Sequence, residues 1–251
     1  MKVTIARRLL KMAGLAPFLC CFAFTQQSTN SGALSLSSII QRVEKTQSEV
    51  RSEAPYQIIR EYRVHGAKSS DADAEVVAQV DFMPPTSKDY NIQRWSGSAR
   101  GKQVVQRILD HEVETAASRD RQARTGLTSD NYDFSLIGDS VLDGRPCYLL
   151  ELMPKRKEKD LISGKAWVDM DSFVVVRIEG ETAKTPSWWL KSVRVKLAFG
   201  DLGGNWLQTS IEAVADVRFL GSHTLTSRIL DYRGTDLTAS RSPSPGLARR
   251  R

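Results

Sequence analysis

The sequence predicts a mostly β, α+β fold in which about ten antiparallel strands form one curved sheet and two amphipathic helices cover it. Three observations carry this. Between Asn131 and Gly180, Tyr132, Phe134 and Leu136, then Tyr148, Leu150 and Leu152, then Val174, Val176 and Ile178 alternate onto one face of successive short segments. The polar connections are too short for a parallel crossover, which needs a dozen or more residues and usually a helix, so neighbouring strands run antiparallel. Two other stretches have a helical period instead. A sheet of that many strands tends to curl, and helices over its concave face enclose a cavity lined by aliphatic and aromatic side chains.

Residues 1–25 carry Lys2, Arg7, Arg8 and Lys11 with no acid, then an apolar run from Met12 to Phe24 that gives way to polar residues. This is the pattern of a secretory signal peptide. The run is shorter than the roughly 20 apolar residues of a membrane anchor. Cleavage fits after Ala23 or Thr25; the Arg7–Arg8 pair is read as positive charge for the ordinary export route rather than a twin-arginine signal, and Leu19 before Cys20 disfavours lipid modification. Residues 26–34 are expected to be flexible, 35–235 to form one domain, and 236–251, ending in three arginines, to be a disordered basic tail.

Within the domain, Leu36, Ile39, Ile40, Val43 and Val50 recur at helical spacing over 35–51, and Pro55 ends that helix. Strands follow at 56–64, 75–82 and 88–95. A second helix is expected over 102–121, where Val104, Val105, Ile108, Leu109 and Val113 share a side. After Gly180 the strands are 189–199, 206–220 and 223–232. In the long middle one, Leu207, Thr209, Ile211, Ala213, Ala215, Val217 and Phe219 alternate with polar residues, so one face is buried and one faces water.

Composition narrows the function. There are 36 Lys and Arg against 29 Asp and Glu, a net charge of +7. Removing the leader's four cations lowers this to +3, which argues against a nucleic-acid-binding protein. Only Cys147 remains after the leader, so no intramolecular disulfide forms and the core must hold the fold. No catalytic motif is present. His65, His111 and His223 are far apart, Thr115 stands where a zinc-protease helix starting at His111 and Glu112 needs its second histidine, Asp169 and Asp171 read as turn acids, and the glycines of GDLGGN join two strands rather than preceding a helix. Cys147 reads as a small core residue. No enzyme, cofactor or metal is expected.

The segments NYDFSLIG, GRPCYLLELMPKRKEK, GKAWVDMDSFVVVRIEG and the late DYR resemble the outer-membrane lipoprotein-sorting proteins of the Lol-type carrier superfamily, over most of the chain from the first helix to Arg233. The resemblance implies a half-open antiparallel β-barrel whose hydrophobic cavity shelters the acyl chains of lipoproteins crossing the periplasm. It also implies partners: an acylated lipoprotein or lipid, an inner-membrane release complex and an outer-membrane acceptor, with the carrier itself a monomer. Carriers of this kind latch the helical lid with a barrel arginine, for which Arg60, Arg63 and Arg94 are all candidates. An envelope-stress sensor built on the same barrel is the alternative reading.

The candidate cavity and lid residues are Leu36, Ile39, Ile40 and Val43 on the first helix, Val104, Val105 and Ile108 on the second, and Trp188 and Trp189 before a strand. Trp95, Trp167 and Trp206 are expected to be structural. Lys155, Arg156, Lys157 and Lys159 are candidates for a partner or anionic membrane surface.

Overall fold

A computed structural model describes residues 34–49, 54–67 and 72–234. The expected leader and basic tail lie outside the described residues. The helix α1 (Leu36–Glu49) precedes three strands, β1 (Tyr56–His65), β2 (Ala74–Met83) and β3 (Ser87–Gly97). Two helices, α2 (Ala99–Ala116) and α3 (Arg119–Thr125), lead into a seven-strand meander: β4 (Tyr132–Leu142), β5 (Arg145–Pro154), β6 (Ile162–Asp169), β7 (Val175–Thr182), β8 (Leu190–Leu202), β9 (Asn205–Val217) and β10 (Gly221–Gly234).

All ten strands form one antiparallel sheet, in the order β3-β2-β1-β10-β9-β8-β7-β6-β5-β4. The sheet does not close, because β3 and β4 are its two edges. Those edges are consecutive in the chain. Residues 98–131 must therefore cross from one edge to the other, and they do so as α2 and α3, which span the open side of the curled sheet.

Curling has local causes. Register shifts interrupt β1/β10, β2/β3, β4/β5, β6/β7 and β8/β9, and each bulge bends and twists its strand. Gly164 and Gly180 face each other across β6 and β7, and a Cβ on Gly164 would lie 2.1 Å from the Glu179 carbonyl oxygen. Only paired glycines permit that approach.

The expected single helix over 102–121 is two. Ser118, in extended conformation, accepts from the Arg121 amide at 3.3 Å and caps α3, while Ser98 caps α2 by accepting from Gly101. The apolar period ends at Val113, before the junction, and the serine's capping bond there competes with a continuous helix.

Two packed regions flank the centre of the sheet. Ile39, Ile40 and Val43 of α1 pack on Leu150, Leu152, Ala166, Val168 and Val175 of the meander. Val105 and Leu109 of α2 pack on Ile58, Tyr62, Val76, Ala78 and Val80 of β1 and β2. Between them the concave face is left uncovered by either core.

Candidate functional site

The uncovered stretch is a cavity of about 800 Å³. Its floor is the inward face of the central strands: Ile58, Leu225, Ile211, Ala213, Val195 and Leu197, with Ile162 at the side. Ile108, His111, Glu112, Thr115 and Ala116 of α2 and Gln122 and Thr125 of α3 roof it. A second lobe of about 600 Å³ shares Tyr56, Gln122, Ile162, Leu197 and Leu207 with the first and continues to Phe82, Val175, Ile178, Phe199, Trp206 and to Thr46 and Gln47 of α1. The two lobes make one apolar trough along the sheet. Its size is that of sites that bury most of a small-molecule ligand.

The roof is tied to the sheet by charge. Arg60, in phase with Tyr56, Ile58, Tyr62 and Val64 on β1, turns inward and is 5% exposed. Its Nη2 donates to the Gln208 carbonyl at 2.6 Å, and its Nη1 lies 3.5 Å from Glu112 Oε1 on α2. Lys88 Nζ on β3 donates to the other carboxylate oxygen at 2.5 Å. Burial pushes the Glu112 carboxyl up, but Lys88 and Arg60 together outweigh it and hold the group below the usual carboxylate range. Burial raises the neighbouring phenols as well, Tyr62 above its ordinary range and Tyr56 up to about 12, with Arg60 working against both shifts.

Across the trough the same helix is held again, His111 Nε2 lying 3.1 Å from Asp160 Oδ1, and Arg124 of α3 donates to Glu158 at 2.6 Å. The corner after α3 is fastened by buried Asn131. Its Nδ2 donates to the Ala123 and Gly126 carbonyls at 2.8 and 2.7 Å, and its Oδ1 accepts from Arg156 at 2.7 Å.

The three arginines left open by the sequence occupy different places. Arg63 pairs with Glu61 and Glu75, and Arg94 with Glu75, all along the sheet. Arg60 alone of the three joins the barrel to a roof helix. The signal was a cation in phase with an apolar strand face, matched by Glu112 in phase with Val105, Ile108 and Leu109 on α2.

Of the nine candidate cavity residues, Ile108 lines the trough. Ile39, Ile40, Val43 and Val105 are consumed by core packing against the sheet. Leu36 and Ile40 border a separate recess beside Tyr132 and Phe134. Val104, 41% exposed, sits on the outer side of α2, and Trp188 and Trp189 are exposed on the rim. Trp206, expected to be structural, lines the second lobe while its Nε1 donates to the Val175 carbonyl at 2.9 Å. Trp95 is exposed with Lys102 over its ring at 4.6 Å.

In the basic loop, Lys155 donates to the Ser129 carbonyl at 2.6 Å and Arg156 clamps the Asn131 corner. Lys157 is exposed, and Lys159 stands at the cavity mouth. Cys147 is buried, and burial pushes its thiol up. Among the described residues no cluster of metal-ligating side chains occurs, and no helix is long and apolar enough to cross a membrane.

No family model and no curated protein matches the sequence. Solved structures do. A DUF1329 family protein from Desulfovibrio piger is 15% identical, with 79% of this chain and 92% of that one covered and a TM-score of 0.42. An outer membrane lipoprotein-sorting protein domain from Vibrio parahaemolyticus is 11% identical, with 78% and 91% covered and a TM-score of 0.42. A LolA superfamily protein from Nitrosomonas europaea is 16% identical, with 82% and 96% covered and a TM-score of 0.38. The half-open barrel itself rests on the strand order and on the helices that bridge its two edges.

Proposed function

We propose that this chain is a periplasmic carrier that shelters the acyl chains of a lipoprotein, or of a related lipid, for sorting to the outer membrane. The observation that carries this reading is the apolar trough roofed by a tied helix. Each methylene moved from water into such a trough contributes about 0.8 kcal/mol, so a single acyl chain has a large driving force to enter. Release requires no chemistry, only a roof that moves.

The roof ties are suited to movement. The Arg60 and Glu112 pair is charged in a region of low dielectric, where the desolvation of both groups offsets much of their attraction. Arg60 Nε and Gln208 Nε2 are buried without a hydrogen-bond partner, which leaves the tied arrangement short of full satisfaction. A small shift of α2 therefore exchanges bonds rather than simply losing them. In this reading the trough's residues hold and orient an acyl chain rather than react with it.

Native mass spectrometry of the exported protein, followed by denaturing extraction, tests this. Co-purifying acyl lipid or lipoprotein is expected, lost in Leu197→Asp and Ile211→Asp and kept in Val104→Asp on the outside of the roof. A protein that stays empty after incubation with lipids and lipoproteins would overturn the carrier reading.

A further inference from the structure

Four large apolar side chains stand outside the fold on one rim of the half-barrel. Trp188 is 80% and Phe219 100% exposed, and Trp189 and Leu220 are exposed beside them. The two tryptophans sit in the β7–β8 connection and Phe219 and Leu220 in the β9–β10 turn, two neighbouring tips at the same end of the sheet. They are joined. The Arg218 amide donates to the Trp189 carbonyl at 2.8 Å, and Leu190 pairs with Val217 just below. The two tryptophan rings meet edge to face at 6.1 Å, and Phe219 is held outward by a backbone in the left-handed region at φ 68°. An aromatic residue carries a steric cost at such a φ, and here it is spent on projecting a ring into solvent.

The two tips themselves are basic. Residues 183–191 and 217–222 contain Lys184, Lys191 and Arg218 and no acid. Two carboxylates flank them: Glu181 is exposed, and Asp216 already accepts from the hydroxyls of Ser192, at 3.0 Å, and Ser222.

We propose that this rim is a membrane-docking site, at which the four apolar side chains insert into the interfacial layer of an anionic bilayer while Lys184, Lys191 and Arg218 meet its headgroups. Protruding tips suit insertion into a fluid layer, whereas a stable protein interface needs a broad complementary surface of roughly 800 Å² on each partner. Tryptophan, with a large apolar body and one polar N–H, is the side chain that settles at the headgroup level. Cations near an anionic leaflet add attraction that salt screens. The proposal takes its purpose from the carrier reading. Pro186, two residues before Trp188, lines the trough, so docking through this rim brings the cavity mouth to the layer that acyl chains leave or enter.

The test is co-sedimentation of the exported chain with vesicles of phosphatidylethanolamine and phosphatidylglycerol, and with vesicles of phosphatidylcholine alone. Partitioning into the anionic vesicles is expected to exceed that into the zwitterionic ones at least tenfold, to fall with added salt, and to be accompanied by a blue shift of tryptophan emission. Trp188→Ala/Phe219→Ala is expected to lose at least tenfold in partitioning with thermal unfolding unchanged. The basic residues of 240–251 are present in both proteins and cancel from the comparison. Leu197→Asp is expected to keep vesicle binding, so an empty trough and a failed docking site are told apart. Unchanged partitioning in the double variant, no partitioning of the parent, or a parent dimer that the double variant disperses would each overturn the proposal, the last in favour of self-association.

Discussion

Arg60 on β1 reaches Glu112 on α2, Nη1 to Oε1 at 3.5 Å, from a position that is 5% exposed, while Glu112 keeps 21% of its side chain accessible. The buried partner thus depends on the more accessible one. Removing the carboxylate leaves Arg60 charged, enclosed and held by one carbonyl. Glu112→Ala is expected to destabilise the fold by about 2–3 kcal/mol, below the 3–5 typical of a fully buried pair because water reaches Glu112. Chemical denaturation measures the loss, and hydrogen exchange should show α2 opening first.

Acid should loosen the same tie. Glu112 is held below its ordinary value of 4.5, so in the fold it stays ionised where the unfolded chain already takes up a proton. Its contribution is present above pH 4.5 and is lost as pH falls through the lower folded value. A stability profile across acidic pH should flatten in Glu112→Gln relative to the parent.

Alkali acts through Tyr56. Its phenol is raised from 10.0 to about 12 by burial, so below pH 10 both states are neutral, and between 10 and 12 only the unfolded chain ionises. Stability should fall as pH rises through that window. Phenolate absorbance followed alongside unfolding checks it, and Tyr56→Phe should remove part of the slope.

The two packed regions should respond unlike the trough. Leu150→Ala, at a fully buried position under α1, is expected to cost about 2–5 kcal/mol by leaving a cavity. Leu197→Ala, which borders space already open, should cost less and chiefly weaken lipid retention. Thermal unfolding with and without added lipid separates the two.

Asn131 gives a sharper case. Its amide satisfies two carbonyls and a guanidinium at the corner that leads from α3 into β4. Asn131→Leu should lower stability by about 1–3 kcal/mol, since those buried groups lose their partners. Arg156→Ala in the same background should add less than it does alone, which a double-mutant cycle would measure.

The strands, their antiparallel pairing and the first helix were legible in the sequence, because alternation and short polar turns are local properties that each segment carries alone. Ile108, one of nine residues named as cavity candidates, lines the trough. Only the tertiary structure decided which apolar side chains pack in core and which face open space, since Ile39, Val43 and Val105 show the same helical period as Ile108. Val105 and Ile108 share α2, and they differ in what lies beneath them: β1 and β2 under Val105, open space under Ile108. The sequence does not distinguish Arg60 from Arg63 or Arg94; the fold brings β1 beneath α2, more than 50 positions away along the chain, and pairs Arg60 with Glu112, because attraction between buried charges depends on distance in space rather than in sequence. Phe219, in phase with a buried face in the sequence, left that face because the β9–β10 turn begins one residue before it.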